Sequence, residues 1–295
     1  MAGGNVVRLG VTPPFDWPAL IGFFAGRATP GVESVDGTRY RRSVVVDGRP
    51  ATLDITWREK PQRLDVRLHG NSSRIDDEVI ARVRRMFDLD APLDDIHSVL
   101  HRDKALRSHL RRNPGVRVPG TWDGFELTIR AILGQQVSVK AATTLAGRVA
   151  RRYGESMPGA SGDGAPERVF PRPDRLSRAR FNGMGIVGAR IASMRSVAKA
   201  VENGELAFDG TQTSRQVRET LQSIKGIGDW TAQYVAMRAL KDADAFPSSD
   251  LGLVKAVAWP DRVTPKELAA RSEQWRPWRA YAALLLWGSL PDAGG

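Results

Sequence analysis

Two stretches of the sequence carry residue types and spacings that could do chemistry. The first, Leu221-Gln222-Ser223-Ile224-Lys225-Gly226-Ile227-Gly228-Asp229-Trp230-Thr231-Ala232, sets a glycine-rich turn between two helical patterns. Gly226 and Gly228 remove side chains where the backbone must turn tightly, and N–H groups at the mouth of the following helix can donate to a phosphate whatever the base sequence. A lone Gly-x-Gly serves equally as a helix C-cap and turn with no ligand. The second stretch, Phe246-Pro247-Ser248-Ser249-Asp250-Leu251-Gly252-Leu253-Val254-Lys255, places Asp250 in the first turn of a helix. There a carboxylate can simply cap the backbone. The same position favours its ionised form, and an ionised carboxylate is what rupture of an N-glycosidic bond requires. It stabilises an oxocarbenium-like sugar, and its oxygen can orient water for attack.

Trp230, Tyr234 and Met237 follow the turn at i, i+4 and i+7, so one largely aromatic face runs away from it. Alone, such a stripe reads as core rather than as a base pocket.

Whatever positions these groups must come from an ordinary soluble chain. Its 295 residues suffice for two or three units with real cores, and the balance of 41% hydrophobic and 26% charged residues is a globular one. With no cysteine, disulfides, thiolate zinc sites, iron-sulfur clusters and cysteine nucleophiles are excluded. The net charge of +11 favours a polyanionic partner, with nucleic acid the natural candidate. Arginine dominates the excess, in Arg82, Arg84 and Arg85, in Arg107, Arg111, Arg112 and Arg117, and in Arg148, Arg151 and Arg152. Each cluster taken singly is a solvated helix face. Met1 to Leu9 lack a secretory signal, and no apolar run reaches bilayer length. The expected location is therefore the cytoplasm, in association with the nucleoid, with no membrane partner.

From Tyr40 to Leu68 the pattern has period two: Leu53, Ile55 and Trp57, then Leu64, Val66 and Leu68, alternate with polar residues. Half-buried antiparallel strands are expected, with a hairpin at Asp47-Gly48. Helices are expected over Trp17 to Ala25 and Asp76 to Phe87. From about Ser98 the strand pattern gives way to helical spacing, as in Phe125, Ile129, Ile132 and Leu133. Gly154 to Pro173, rich in Gly, Pro and Ser, reads as a surface loop without function.

Several motifs occurring in order give the chain its resemblance. Pro14-Phe15-Asp16-Trp17 with Gly22-Phe23, Arg84-Arg85-Met86-Phe87-Asp88-Leu89, Pro114-Gly115-Val116-Arg117-Val118-Pro119-Gly120, Arg130-Ala131-Ile132-Leu133-Gly134-Gln135-Gln136-Val137-Ser138-Val139, the hairpin, and Trp275-Arg276-Pro277-Trp278-Arg279-Ala280-Tyr281 span nearly the whole chain. Together they resemble the helix-hairpin-helix DNA glycosylases, and among them the 3-methyladenine DNA glycosylase II (AlkA) type. The resemblance implies an α+β N-terminal domain over 1–96, with a TBP-like antiparallel sheet and helices. Mostly α lobes would follow: a central one over 122–242 carrying the hairpin, and a discontinuous one over 97–121 and 243–295.

The implied activity is that of a monofunctional glycosylase, acting as a monomer in base excision repair. It would flip alkylated bases of the 3-methyladenine and 7-methylguanine kind out of duplex DNA and excise them by hydrolysis. Asp250 would be the catalytic carboxylate, and Phe23, Trp230, Tyr234 and Trp287 would form an aromatic pocket whose electron-rich faces attract a cationic base. Gln135, Gln136, Lys225, Gly226, Gly228 and Thr231 would contact DNA. No cofactor is required, although the family hairpin implies a Na+ or K+ ion on the main-chain carbonyls of Gln222, Ile224 and Ile227. A cationic base is already an activated leaving group, which fits the absence of histidine near the site. His69, His97, His101 and His109 all lie upstream.

In family members that also cut the strand, a Schiff-base lysine stands two residues after the second hairpin glycine. Here that residue is Trp230, so no lyase activity is expected. Two positions depart from the pattern: Gln136 stands where relatives carry a leucine wedge, and Lys225 where a proline is common. Two other readings stay open, a glycosylase of the same fold for deaminated or oxidised bases and a non-catalytic binder of damaged DNA.

Overall fold

The computed structural model describes residues 6–70, 75–158, 164–257 and 263–290. The alternating N-terminal segments form one antiparallel sheet from β1 (Val7–Gly10), β2 (Glu33–Asp36), β3 (Arg39–Val46), β4 (Arg49–Arg58) and β5 (Arg63–Gly70), in the order β1-β5-β4-β3-β2. Asp47 and Gly48 join β3 to β4 with φ of 51° and 71°, the paired positive values of a type I′ turn whose twist matches the strands. Register follows from the period-two pattern: Leu53 lies opposite Leu68, Ile55 opposite both Val66 and Tyr40. These residues share one buried face.

Two helices cover that face. In α1 (Trp17–Ala25), Asp16 caps the N-terminus by accepting from the Ala19 N–H at 3.0 Å. Trp17, Leu20 and Phe24 pack inward, beside Val79, Val83 and Phe87 of α2 (Asp77–Phe87). Beyond α2 the chain is helical: α3 (Leu93–Leu100), α4 (Lys104–Arg112), α5 (Gly124–Leu133), α6 (Val139–Tyr153), α7 (Pro173–Leu176), α8 (Gly188–Glu202), α9 (Ser214–Ser223), α10 (Asp229–Ala239), α11 (Leu251–Val257), α12 (Pro265–Ser272) and α13 (Arg279–Trp287). No helix among the described residues is long and apolar enough to cross a membrane.

The helices build two apolar clusters. One gathers α5, α6, α8, α9 and the start of α10; the other gathers α3, α4, α11, α12, α13 and the end of α10. Thus α10 is shared, with Ala232 and Val235 in the first cluster and Ala236 and Met237 in the second. Ala91, Leu93 and Ile96 also belong to the second cluster, whereas Leu89 and Trp122 pack in the cluster under the sheet.

The seams between units are polar. Asp88 ends α2 in the left-handed conformation, with φ of 54°. Its buried carboxylate accepts from the Val118 N–H and the Tyr281 hydroxyl at 2.9 Å each and pairs with Lys241 at 2.9 Å, tying three parts of the chain. The glycine at 120 is needed because a Cβ there would lie 2.5 Å from the Arg85 carbonyl oxygen. Across the sheet edge, Glu33 and Arg42 meet Glu126 and Arg130 of α5: Arg42 bonds Glu126 at 2.5 Å, and Arg130 reaches Glu33 at 2.8 Å and Glu126 at 3.0 Å.

The segment expected to be a detached surface loop is partly structural. Glu167 and Arg168 donate main-chain N–H groups to the Gly31 carbonyl at 2.8 and 2.9 Å. The Ser34 and Ser43 hydroxyls donate to the carbonyls of Gly164 and Arg168 at 2.6 Å each. With Met157, Val169 and Phe170 buried, this stretch straps the helical region to the sheet. Residues 159–163 lie outside the described residues.

Candidate active site

The hairpin is braced from two sides. Gly226 has φ of 90°, and a Cβ there would lie 2.4 Å from the Ser193 hydroxyl of α8. That hydroxyl donates to the Lys225 carbonyl at 2.8 Å. From the turn between α5 and α6, Gln135 Nε2 donates to the Gly226 carbonyl at 3.0 Å and to Thr231 Oγ1 at 3.2 Å. Gly228 begins α10 with no side chain capping it, so the first-turn N–H groups remain as donors for an anion. Asp229 would repel one, but Gln222 and Gln233 hold its carboxylate at 3.0 and 3.3 Å. Ile227 N–H donates back to the Ile224 carbonyl at 3.0 Å, closing the tight turn that follows Gln222.

Two of the six expected DNA contacts need qualification. Lys225, Gly226 and Gly228 are exposed on the hairpin. Thr231 is buried, at 2% exposure, with its hydroxyl engaged by Gln135. Its side chain therefore offers nothing to a ligand, and only its main-chain N–H could. Gln135 is likewise committed to the hairpin, and its own carbonyl accepts from Arg190. Gln136 differs. It is exposed at the cleft rim with φ of 56°, a left-handed conformation that costs a non-glycine residue about 1–2 kcal/mol.

Asp250 stands where the sequence placed it. Its Oδ1 caps α11 by accepting from the Leu253 N–H at 2.9 Å. The same oxygen accepts from Trp287 Nε1 at 2.8 Å, while Oδ2 accepts from Trp230 Nε1 at 2.8 Å. Two indoles and a helix terminus thus fix the carboxylate plane. Among the described residues, no cation lies within ion-pair distance of it. The group lines an open cleft of about 1670 Å³, a groove more capacious than an ordinary small-molecule pocket.

The aromatic residues do gather. Trp230 and Tyr234 stack at 5.2 Å and 8°, and Trp287 meets Tyr234 edge-on at 6.5 Å. Phe23, delivered by α1, lines the same cleft, but two of the protein's own guanidinium groups lie against its ring: Arg27 at 3.9 Å and Arg238 at 4.8 Å. Internal cations lie against its ring, and Arg238 also lies over the Tyr234 ring at 5.4 Å, so Trp230 and Trp287 are the cleft aromatics whose rings meet no guanidinium among the described residues. Met237 is absent from this wall, buried in the second cluster.

Arg27, Arg130 and Arg238, which the sequence reading did not single out, complete the inner end. All three line the cleft. Arg238 donates to the Tyr234 hydroxyl at 2.7 Å and to the carbonyls of Pro119 and Gly120 at 2.8 and 2.9 Å. Arg130 donates to the Arg27 carbonyl. Burial pushes the Arg27 guanidinium below its ordinary pKa, opposed by the adjacent Tyr234. For Tyr234, burial favours the neutral phenol, but Arg238 and Arg27 outweigh it and lower the pKa. A signal for these residues was available: Arg27 follows Phe23, and Arg238 follows Tyr234, each by four residues, one helical turn.

Residues 6–123 match the model of the AlkA N-terminal domain family. Over 287 residues the chain is 35% identical to DNA-3-methyladenine glycosylase 2 of Escherichia coli, covering 95% of this chain and 97% of that protein. It is also 35% identical over 292 residues to a probable bifunctional transcriptional activator/DNA repair enzyme AlkA of Mycobacterium tuberculosis. That match covers 98% of this chain but spans only 58% of the relative's length. Among solved structures, the 3-methyladenine DNA-glycosylase from Archaeoglobus fulgidus shares the fold at a TM-score of 0.80, with 23% identity, over 95% of this chain and 97% of that one.

Proposed function

The chain belongs to the AlkA family of DNA-3-methyladenine glycosylases, and on that premise we propose that it excises alkylated purines from double-stranded DNA by hydrolysis, with Asp250 as the catalytic carboxylate. The observation that carries this reading is the state of Asp250: fixed by two indole N–H groups and a helix N-terminus, with no neutralising cation among the described residues, at the wall of an aromatic cleft. Negative charge held in place before the reaction stabilises positive charge that develops on the sugar as the glycosidic bond breaks. A water beside either oxygen would be oriented to attack C1′.

The DNA backbone would dock on the hairpin, with phosphate at the N–H groups of the first turn of α10 and Lys225 adding charge. Gln136, held outward at the rim, would enter the space that the flipped nucleotide vacates. The carbonyls of Gln222, Ile224 and Ile227 would offer a neutral, all-oxygen set to Na+ or K+, and a cation held there would add positive charge next to the docked phosphate. A cationic base would stack on Trp230 and Tyr234, near the Asp250 charge. Trp230 holds the position at which a Schiff-base lysine would be needed, and its nitrogen is bonded to Asp250. Strand cleavage would therefore depend on added alkali.

The test is single-turnover release of 7-methylguanine from a defined duplex by wild type and Asp250→Asn, with products resolved before and after hot alkali. Release by the variant should fall at least about a hundredfold, with duplex binding retained. Undiminished release would remove Asp250 from the chemistry, and strand cleavage without alkali would overturn the hydrolytic mechanism.

A further inference from the structure

The arginine clusters of the sequence fare differently in the fold. On α2, Arg82 pairs with Glu78 at 2.6 Å and Arg84 with Asp90. On α6, Arg148 and Arg152 donate to the carbonyls of Met184 and Asn182 at 3.2 and 3.3 Å. On α4 and the turn before it, the charge stays unmatched. Arg102, Lys104, Arg107, Arg111 and Arg112 are all exposed, and among the described residues none of them pairs with a carboxylate. Asp103, the one acid between His101 and Arg112, is buried and taken by Arg271 at 3.2 Å. Arg107 reaches the His101 carbonyl at 2.9 Å, and Arg112 donates to His109 Nδ1 at 2.7 Å. Burial and the Arg112 charge together hold His109 below its ordinary pKa.

Helix stability does not account for this face. Lys104, Arg107 and Arg111 follow one another at i, i+3 and i+7, on one side of the helix, where like charges repel. The helix dipole favours cations in the last turn, which covers Arg111 and Arg112, and disfavours Lys104 in the first. The stripe runs about 10 Å along the helix axis, the rise of about three base pairs of duplex. It ends at the cleft: Asn113, next after Arg112, lines the same groove as Gly226 and Gly228 of the hairpin. Between Leu221 and Ala232 the hairpin itself has one basic side chain, Lys225.

We infer that the exposed face of α4 is a second DNA-backbone site, on which Lys104, Arg107 and Arg111 neutralise successive phosphates in one arm of the duplex whose lesion lies in the cleft. This rests on the reading that duplex DNA docks at the hairpin, and it concerns affinity rather than chemistry. The contact is ionic and ignores base sequence: each cation displaces counterions condensed on the strand, so its contribution falls as salt rises. An arm too short to reach α4 gains nothing from it.

The experiment measures binding of duplexes with a stable abasic-site analogue, over a range of salt, by wild type and by a variant combining Lys104→Gln, Arg107→Gln and Arg111→Gln. One duplex has two short arms of about four base pairs, and two others have one arm or the other extended to about fifteen. With one of the extended arms, and with neither of the remaining duplexes, the variant is expected to bind at least about tenfold more weakly in about 0.1 M salt. Its plot of log affinity against log salt on that duplex should be shallower by about 3, one unit for each phosphate contact removed. A variant with Arg107→Lys and Arg111→Lys, which keeps the charges, should bind that duplex within about threefold of wild type. If the neutralised variant fails to fold, wild type decides alone: its salt slope should be steeper by about 3 with that extended arm than with the other. Equal losses on all three duplexes, or equal wild-type slopes with the two extended arms, would overturn the proposal. So would a neutralised variant that binds every duplex as wild type does, which would leave the face to an acidic protein partner. Release of 7-methylguanine is scored separately. A protein that showed the expected arm dependence but released no base would refute the glycosylase reading and leave this one standing.

Discussion

Asp103 and Asp250 are built from the same parts. Each caps a helix, Asp103 by accepting from the Ala105 N–H at 2.7 Å and Asp250 from the Leu253 N–H at 2.9 Å. Each accepts from an indole, Asp103 from Trp275 at 2.9 Å and Asp250 from two indoles at 2.8 Å. They differ in what neutralises them. Asp103 also takes Arg271 at 3.2 Å and Gln274 at 3.1 Å, inside the second helical cluster at 6% exposure. Asp250 has no such partner among the described residues, and it faces the cleft. The cap and the indole supply position; only the missing cation leaves charge available for a substrate. Capping and catalysis are therefore compatible uses of one geometry, separated by a guanidinium.

The comparison can be broken at either end. The largest effect is expected at Asp250→Asn, where release should fall at least about a hundredfold while thermal stability stays close to that of wild type, because asparagine caps nearly as well as aspartate. Asp103→Asn should do the reverse. Its unfolding free energy is expected to drop by about 2 kcal/mol, measurable by urea titration, with release per folded molecule within about twofold of wild type. If the two variants behaved alike, the distinction between them would fail.

Trp287→Phe removes one donor to Asp250 and keeps an aromatic ring. Release should slow by about tenfold, the worth of one hydrogen bond to a charged group, in single-turnover kinetics. An unchanged rate would mean that Trp230 and the helix suffice to hold the carboxylate. The smallest effect concerns acid. Burial opposes ionisation of Asp103, but the hydrogen bonds from Trp275 and Arg271 prevail, so its folded pKa lies below its unfolded one. Its contribution is complete above about pH 4 and is lost as pH falls further. In the network at the sheet edge the two carboxyls oppose one another: for Glu33 burial opposes ionisation, yet Arg130 and Arg42 bring its pKa down to about 2, whereas burial pushes Glu126 up. Melting temperature should therefore fall as pH drops from 6 to 3, and less steeply in Asp103→Asn than in wild type.

The sequence disclosed what depends on local pattern. Period-two alternation gave β4 and β5, Asp47-Gly48 gave their neighbouring hairpin, and Pro247 to Asp250 marked the start of α11, because each is decided within a few residues by sterics and capping. The hairpin glycines belong here too, although the collision that demands Gly226 involves Ser193 on a distant helix. What packing decides stayed hidden. Nothing local reveals that Trp230 and Trp287 converge on one carboxylate, that Arg27 and Arg238 cover Phe23, or that residues 164–170 bind the sheet edge. Gln136 and its left-handed backbone follow from how α5 and α6 must join, which composition does not record.

The ion network of Glu33, Arg42, Glu126 and Arg130 has a mechanical consequence. It bolts the sheet edge to α5, and Arg130 also clamps the end of the α1 segment that presents Phe23 and Arg27. Parting these elements would leave buried charges unpaired, at a cost of about 3–5 kcal/mol for each broken pair. The cleft therefore behaves as a rigid die rather than a jaw. A duplex seated on the hairpin would have to supply the deformation itself, at about 1–6 kcal/mol for a smooth bend, so DNA already weakened in its stacking would conform to the die more readily than intact helix.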